Sequence, residues 1–383
     1  MKSLKWLFIV SLFLVLSCSN VDYDPQAREW PESWLDEDIS AKDFVKSMKI
    51  GWNLGNTLDA HNNLTPSETI WGNPEATQRL MHAVKNHGFD AVRIPVTWGS
   101  MVGRAPNYTI NIRYLYRVAE VVNYAANAGL ISIINMHHDG ANGQYWLSVR
   151  TENITGKNKE RIDAQFTSMW IQIANYFRNA GNYVVFQGFN ELHDGSWGNG
   201  SPAQRARVNE LNQLFTDAVR SAGGNNENRF LVVSPWVTRP SLLNDLVLPD
   251  DTAEDRLIVN FHFYDPYWFA IVARTDTWDT PQERNHIRNT FRNARNWWPD
   301  VPIIIGEYGA VRQATATGRI QRKSYMEYVT GLAKEFDFVP FFWDNGATGT
   351  GEESFGIINR NPPHAPTNNE AAEIIQIMMN AIK

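Results

Sequence analysis

Two short apolar runs in this chain each end on a single glutamate: Phe186-Gln187-Gly188-Phe189-Asn190-Glu191 and Ile303-Ile304-Ile305-Gly306-Glu307-Tyr308-Gly309. One carboxylic acid at a strand end has many explanations. Two of them, each followed by a loop and then a helical pattern, suggest a pair of acids at the same face of a parallel sheet. Paired carboxyl groups are what cleavage of a glycosidic bond requires.

Other strand ends carry polar or aromatic groups as well. The first leads into Asn53 and Asn56, the second carries Arg93, and the third ends at His137-His138-Asp139. The fifth leads to Trp236, the sixth carries His262 and Tyr264, and the eighth ends at Trp343-Asp344-Asn345. Each has a structural explanation when taken alone: a buried arginine neutralising a core carboxylate, a satisfied core histidine, a packing tryptophan. Core packing does not explain polar groups at nearly every strand end. A zinc site built from His137, His138, Asp139 and His262 is the competing chemistry. It lacks a His-x-x-x-His or comparable ligand spacing and leaves both glutamates without a role, so no metal and no cofactor is expected. The polar loops 59–63 and 139–142 read as turns rather than calcium sites.

The elements that must position these groups are legible as eight short apolar runs, at 48–52, 91–95, 130–136, 184–188, 230–233, 257–261, 303–305 and 339–342. Most are near-continuous Val, Ile, Leu and Phe, the pattern of parallel strands buried on both faces. Segments of helical length and spacing lie between them, at 113–128, 163–178, 202–221, 281–297 and 319–336. Strand followed by helix eight times is an α/β fold of the (β/α)8 TIM-barrel kind. Gly129 and Gly181 fall where a residue tolerating positive φ ends a helix, and Pro202 and Pro281 stand near the first turn of two others. A doubly wound open sheet usually has fewer strands, and no glycine-rich phosphate turn follows the first strand here.

The chain has 383 residues, 43% hydrophobic and 20% charged, with no glycine- or proline-rich linker inside, so a single catalytic domain over 41–383 is expected. The formal charge of -6 comes without basic clusters, which speaks against a nucleic-acid partner. Residues 1–17 read as a secretory leader, with Lys2 and Lys5 ahead of an apolar stretch too short to span a membrane. The run Val15-Leu16-Ser17-Cys18 resembles a bacterial lipobox, and Cys18 is the only cysteine, so it cannot form an intramolecular disulfide. The expected arrangement is an exported, lipid-anchored monomer with a tether at 18–40 and no other membrane contact.

The strings Gly51-Trp52-Asn53-Leu54-Gly55-Asn56-Thr57, Arg93-Ile94-Pro95-Val96, Asn190-Glu191, His262-Phe263-Tyr264, Gly306-Glu307-Tyr308-Gly309 and Phe342-Trp343-Asp344-Asn345 resemble glycoside hydrolase family 5 of clan A. The opening string is most similar to the subfamily of endo-β-1,4-glucanases and xyloglucanases, subfamily 4. One departure is Leu192, where the family usually has proline after the acid/base. The resemblance implies Glu191 as general acid/base and Glu307 as nucleophile. It also implies that Arg93 and Tyr264 keep Glu307 ionised and oriented, and that Asn190 donates to the sugar 2-hydroxyl. His137 and His262 would bind sugar hydroxyls or tune the carboxylates, while Asn53, Asn56, His138, Trp236, Trp268 and Trp343 contact substrate, with Trp98 farther along the cleft. Like charges at close range resist joint ionisation, so the raised proton affinity of Glu191 is expected to come chiefly from Glu307.

The expected activity is retaining hydrolysis of internal β-1,4 bonds in a β-glucan polysaccharide. Xyloglucan, mixed-linkage glucan and mannan are alternative substrates, transglycosylation an alternative outcome, and noncatalytic glycan binding an alternative role. Segments 139–161 and 346–366 are where substrate choice is expected to be made.

Overall fold

The computed structural model describes residues 29–383. The leader and Cys18 lie outside the described residues. Eight parallel strands close into a barrel: β1 (Gly51–Leu54), β2 (Ala91–Ile94), β3 (Ile131–Asn135), β4 (Val184–Gln187), β5 (Leu231–Val233), β6 (Leu257–Phe263), β7 (Ile303–Tyr308) and β8 (Phe338–Asp344). Each strand pairs with its sequence neighbours, and β1 closes the ring by pairing with β8. Nearly every strand residue is buried. The apolar runs are therefore unbroken because the inner face fills the barrel and the outer face meets a layer of helices.

The helices start where the chain supplies caps. Ser201 and Thr280 form capping boxes with Gln204 and Glu283, and Pro202 and Pro281 occupy the first helical turn. Gly129 follows the helix Ile112–Asn127 at φ +74, as its position suggests. Gly181 does not act this way. The preceding helix ends at Tyr176 with Phe177 as its cap, and Gly181 lies in the turn that leads to β4.

The strand-helix alternation has one gap. Between β5 and β6 the chain forms only the 3-10 turns Trp236–Thr238 and Pro240–Asp245. Pro235 and Pro249 flank this stretch and Pro240 interrupts it, which leaves only residues 241–248 free of proline, too little uninterrupted chain for a typical α-helix.

Strand β7 carries a one-residue bulge. Phe261 pairs with Ile305 but His262 with Glu307, and on the other side Pro340 pairs with Ile305 but Phe342 with Tyr308. Gly306 is the extra residue seen from β6, and on the β8 side Gly306 and Glu307 together oppose Phe341. A Cβ there would stand 2.4 Å from Asn260 Oδ1 and 3.1 Å from His262 Nε2, so only glycine fits. The bulge brings His262 level with Glu307.

Candidate active site

Beneath the two glutamates runs a closed ring of hydrogen bonds through the barrel interior. The Arg93 guanidinium donates through Nε to Gln187 Oε1 at 2.7 Å and through Nη1 to Asn53 Oδ1 at 3.0 Å. Asn53 Nδ2 donates to the bulged Gly306 carbonyl at 3.0 Å, and the Gly306 N–H donates to Asn260 Oδ1 at 2.8 Å. Asn260 Nδ2 and Gln187 Nε2 both reach Ser234 Oγ, at 3.1 and 3.4 Å, which closes the circuit. All of these side chains are buried. Unpaired, each would carry a desolvation cost; paired, they make a rigid polar floor.

That floor fixes Glu307. Arg93 Nη1 donates to its Oε1 at 2.7 Å and the Tyr264 hydroxyl to its Oε2 at 3.0 Å. Burial, followed by the Glu307 and Glu191 charges, raises the Tyr264 phenol well above its ordinary range, so it remains a donor. Arg93 Nη2 holds Asn190 Oδ1 at 2.7 Å. The Asn190 oxygen is thus committed, and its NH2 group is what it can offer to a sugar hydroxyl.

Glu191 sits opposite, with its side chain one-fifth exposed. One oxygen of Glu191, one of Glu307 and a ring nitrogen of His262 all lie within 4.8 Å of one another. His262 Nδ1 stands 2.6 Å from Glu191 Oε1 and 3.5 Å from Glu307 Oε2. Burial pushes the imidazole pKa down to about 3, against a rise from Glu307, so the ring is neutral, and Nδ1 is the nitrogen that faces the two carboxyl groups. The Glu191 carboxyl is raised by burial, with Arg93 the first opposing influence, then His193, Thr238 and His138. Its high proton affinity therefore comes first from desolvation, where the sequence points to Glu307.

His137 is also neutral, held well below its ordinary value by burial and then by His138 and Arg93. Asn135 Oδ1 accepts from the Val96 N–H at 3.2 Å, so its NH2 group faces His137 Nδ1 at 3.2 Å and leaves the His137 proton on Nε2. Trp343 lies parallel to the His137 ring with centroids 5.8 Å apart and is 9% exposed. His138 meets Asp59 at 3.6 Å and the edges of Trp71 and His61. These two aromatic neighbours give no sequence signal, because they come from the loop after β1 rather than from a strand end.

The remaining expected contacts divide by burial. Trp236 is 1% exposed, with its indole N–H bonded to the Gly198 carbonyl at 2.9 Å, so it is a packing residue and offers no face to a sugar. Trp98 is likewise buried and donates to the Asn135 carbonyl at 3.0 Å. Asn53 is enclosed in the ring above and supports Arg93 and the bulge instead of touching substrate. Asn56 turns the chain at φ +54 and donates its N–H to Asp59 Oδ2 at 3.1 Å. Trp268, at 51% exposure, lies on the segment after β6 with Arg274 over its ring at 4.7 Å and Tyr267 edge-on at 5.3 Å.

The competing zinc set, His137, His138, Asp139 and His262, is broken up among the described residues. Asp139 is occupied by the Trp98 and Gly99 N–H groups and the Trp146 indole, at 3.0, 2.8 and 2.7 Å. A different trio, Asp59, His137 and His138, does come within 4.8 Å, but the Asp59 oxygens accept from the Asn56 and Thr57 N–H groups. Leu192, which replaces the family's proline, is buried, and its carbonyl accepts the Val237 N–H at 3.0 Å.

The chain matches the family model described as "Cellulase (glycosyl hydrolase family 5)" over residues 54–349. It is 38% identical over 339 residues to "Endoglucanase A" of Ruminococcus albus, covering 85% of this chain and 89% of that one. A broad-specificity endoglucanase from Bacteroides salanitronis, of subfamily 4, superposes with TM-score 0.85 at 42% identity, covering 92% of this chain and 99% of the other. A family 5 xyloglucanase from Paenibacillus pabuli superposes with TM-score 0.82 at 34% identity, covering 89% and 100%.

Proposed function

Because the chain belongs to glycosyl hydrolase family 5, we propose that it hydrolyses internal β-1,4-glucosidic bonds of a β-glucan with retention of anomeric configuration. The observation that carries this reading is the carboxyl spacing. Oxygens of Glu191 and Glu307 within 4.8 Å leave no room for a water between Glu307 and the anomeric carbon. Retaining enzymes hold the pair at about 5–5.5 Å and inverting enzymes at about 6.5–9.5 Å.

Glu307 attacks the anomeric carbon while Glu191 gives its proton to the departing oxygen. The donors on Glu307 aim one lone pair at the reaction. When the glycosyl-enzyme has formed, the Glu307 charge is gone and Glu191 is ionised, so Glu191 removes a proton from the attacking water. The Asn190 NH2 group and the His137 Nε2–H are placed to donate to sugar hydroxyls, contacts that strengthen as the ring takes on oxocarbenium character. Trp343 supplies a flat apolar face for a pyranose.

The endoglucanase and xyloglucanase names of the relatives support a glucan backbone as substrate. The leader and Cys18 composition supports export and a lipid anchor, which suits a polymer too large to enter a cell. Proton NMR of the first products from barley β-glucan, xyloglucan and carboxymethyl cellulose tests the proposal. β-Anomers should appear first with wild-type protein and no product with Glu307→Gln. Initial α-anomers, or undiminished hydrolysis by that variant, overturn it.

A further inference from the structure

The segment Ser234-Pro235-Trp236-Val237-Thr238-Arg239, which follows β5, holds two consecutive β-branched residues in the left-handed region: Val237 at φ 48 and Thr238 at φ 50. Both are buried. Side chains branched at Cβ rarely adopt this conformation, and persistence of two in a row means the surroundings over-determine it. The surroundings here are explicit. The Val237 N–H is tied to the Leu192 carbonyl at 3.0 Å, the Thr238 N–H to the Pro235 carbonyl at 3.1 Å, and the Arg239 N–H to the Trp236 carbonyl at 3.1 Å. Arg239 also bonds Asn199 Oδ1 at 3.1 Å and the Trp197 carbonyl at 2.5 Å. The strained turn is sewn to the loop that carries Glu191.

What the turn achieves is the placement of one hydroxyl. Thr238 Oγ1 lies 3.3 Å from Glu191 Oε1 and 2.7 Å from the Val237 carbonyl. It has a single proton to give. Glu191 Oε1 also lies 2.6 Å from His262 Nδ1, which leaves Oε2 as the oxygen without these two neighbours and the place for the titrating proton. The other charged or titratable groups acting on Glu191 are Arg93 from β2, His138 from the loop after β3, His193 two residues along, and Tyr264 and Glu307 from β6 and β7. Of these only Tyr264 carries a hydroxyl, and its proton is given to Glu307 Oε2, so Thr238 is the hydroxyl rotor that reaches Oε1.

We propose that Thr238 is a positioning residue that serves the second half-reaction. While Glu191 is protonated, the hydroxyl donates to the Val237 carbonyl; once Glu191 is ionised, it turns and donates to Oε1. In that second step the water oxygen attacks the anomeric carbon and a water proton passes to Glu191 Oε2. The bond from the anomeric carbon to Glu307 breaks, and its electron pair returns to the carboxylate. Thr238 stabilises the ionised base that starts this step and leaves Oε2 free to take the proton. The strained backbone of Val237 and Thr238 keeps the hydroxyl within reach of both acceptors.

This inference rests on Glu191 being the acid/base. Rapid-mixing kinetics on 2,4-dinitrophenyl β-cellobioside, whose leaving group needs no protonation, tests it. Thr238→Val should show a burst of dinitrophenolate followed by a steady state slowed about 3- to 10-fold, the worth of one hydrogen bond, with the burst rate close to wild type. The alkaline limb of kcat/KM should move to higher pH, and Thr238→Ser should restore both behaviours. Equal slowing of the two phases, or an unmoved limb, overturns the proposal. If Glu191→Gln is inactive on polymer while Thr238→Val behaves as wild type, only the role of Thr238 falls. If Glu191→Gln hydrolyses polymer normally, the reading of Glu191 falls with it.

Discussion

Replacing Arg93 by methionine tests the polar floor most directly. The guanidinium is fully buried and spends its donors on Gln187, Asn53, Glu307 and Asn190. Methionine fills similar volume but leaves the Glu307 carboxylate without a cation and the three amide oxygens of Gln187, Asn53 and Asn190 without the Arg93 donor. Removing one partner of a buried ion pair costs about 3–5 kcal/mol. For the described residues 29–383, the unfolding entropy near the midpoint is roughly 0.75 kcal/mol per degree at about 2.1 cal/mol/K per residue. The expected fall in Tm is therefore about 4–7 °C. Activity should fall further than stability suggests, by about 10²–10³ in kcat/KM, because a preorganised donor to the reacting carboxylate is lost. Calorimetry on Arg93→Met, Glu307→Gln and the double variant separates charge from packing. With no carboxylate to strand, the double variant should regain at least half of the lost Tm. If Arg93→Met melts within 1 °C of wild type, or the double variant is no more stable than the single one, the reasoning about the buried pair is wrong.

Acid should destabilise the fold through its buried histidines. His262 has a folded value of about 3 against an ordinary 6.5, so the unfolded state takes up a proton that the folded state refuses. Its contribution is complete above about pH 6.5 and is lost as pH falls toward 3, at about 1.4 kcal/mol per pH unit. His137 acts in the same direction, and Glu191, with its raised value, in the opposite one. The slope of Tm against pH between 6.5 and 4.5 should be shallower by one proton in His262→Gln, and an unchanged slope refutes the assignment. The tryptophans should separate by burial. Trp236→Ala should lower Tm by about 4–7 °C through the cavity it leaves. Trp343→Ala should raise KM on glucan about 2- to 10-fold through the lost stacking face. A KM effect of Trp236→Ala without a fall in Tm would make that ring a substrate platform after all.

The barrel was legible because burial on both faces turns each strand into an apolar run, and because proline and capping residues mark helix starts. The missing helix after β5 was not, since the count of strands invites a helix after each. The pair Glu191 and Glu307 stood out as polar ends of apolar runs. Trp236 and Asn53 misled because residue type does not reveal which strand-end side chains turn inward and which turn toward the cleft. Asn260 was visible as a lone amide inside the apolar run 257–263, and could have been singled out as support. The Gly306 bulge was not visible, because a change of pleat parity leaves no mark in composition. Likewise Asp344, which gathers the Trp52 indole and the Gly346, Ile357 and Ile358 N–H groups, reads in sequence as part of the site but serves to fold the loop beyond it.

The segment ahead of the barrel has a directional consequence. Trp30 packs on Phe177 at 5.1 Å, Trp34 stacks on Tyr183 at 4.9 Å, and the Pro31 carbonyl accepts from the Tyr183 hydroxyl at 2.9 Å. Phe177 and Tyr183 precede β4, and Phe44 of the helix Ala41–Ser47 stacks on Phe230 just before β5. The chain thus joins the barrel at the pole opposite Glu191 and Glu307. Anything fastened ahead of Glu29, whether a lipid, a binding module or a solid support, pulls on the blind end. Attachment point and cleft therefore lie at opposite poles of the barrel.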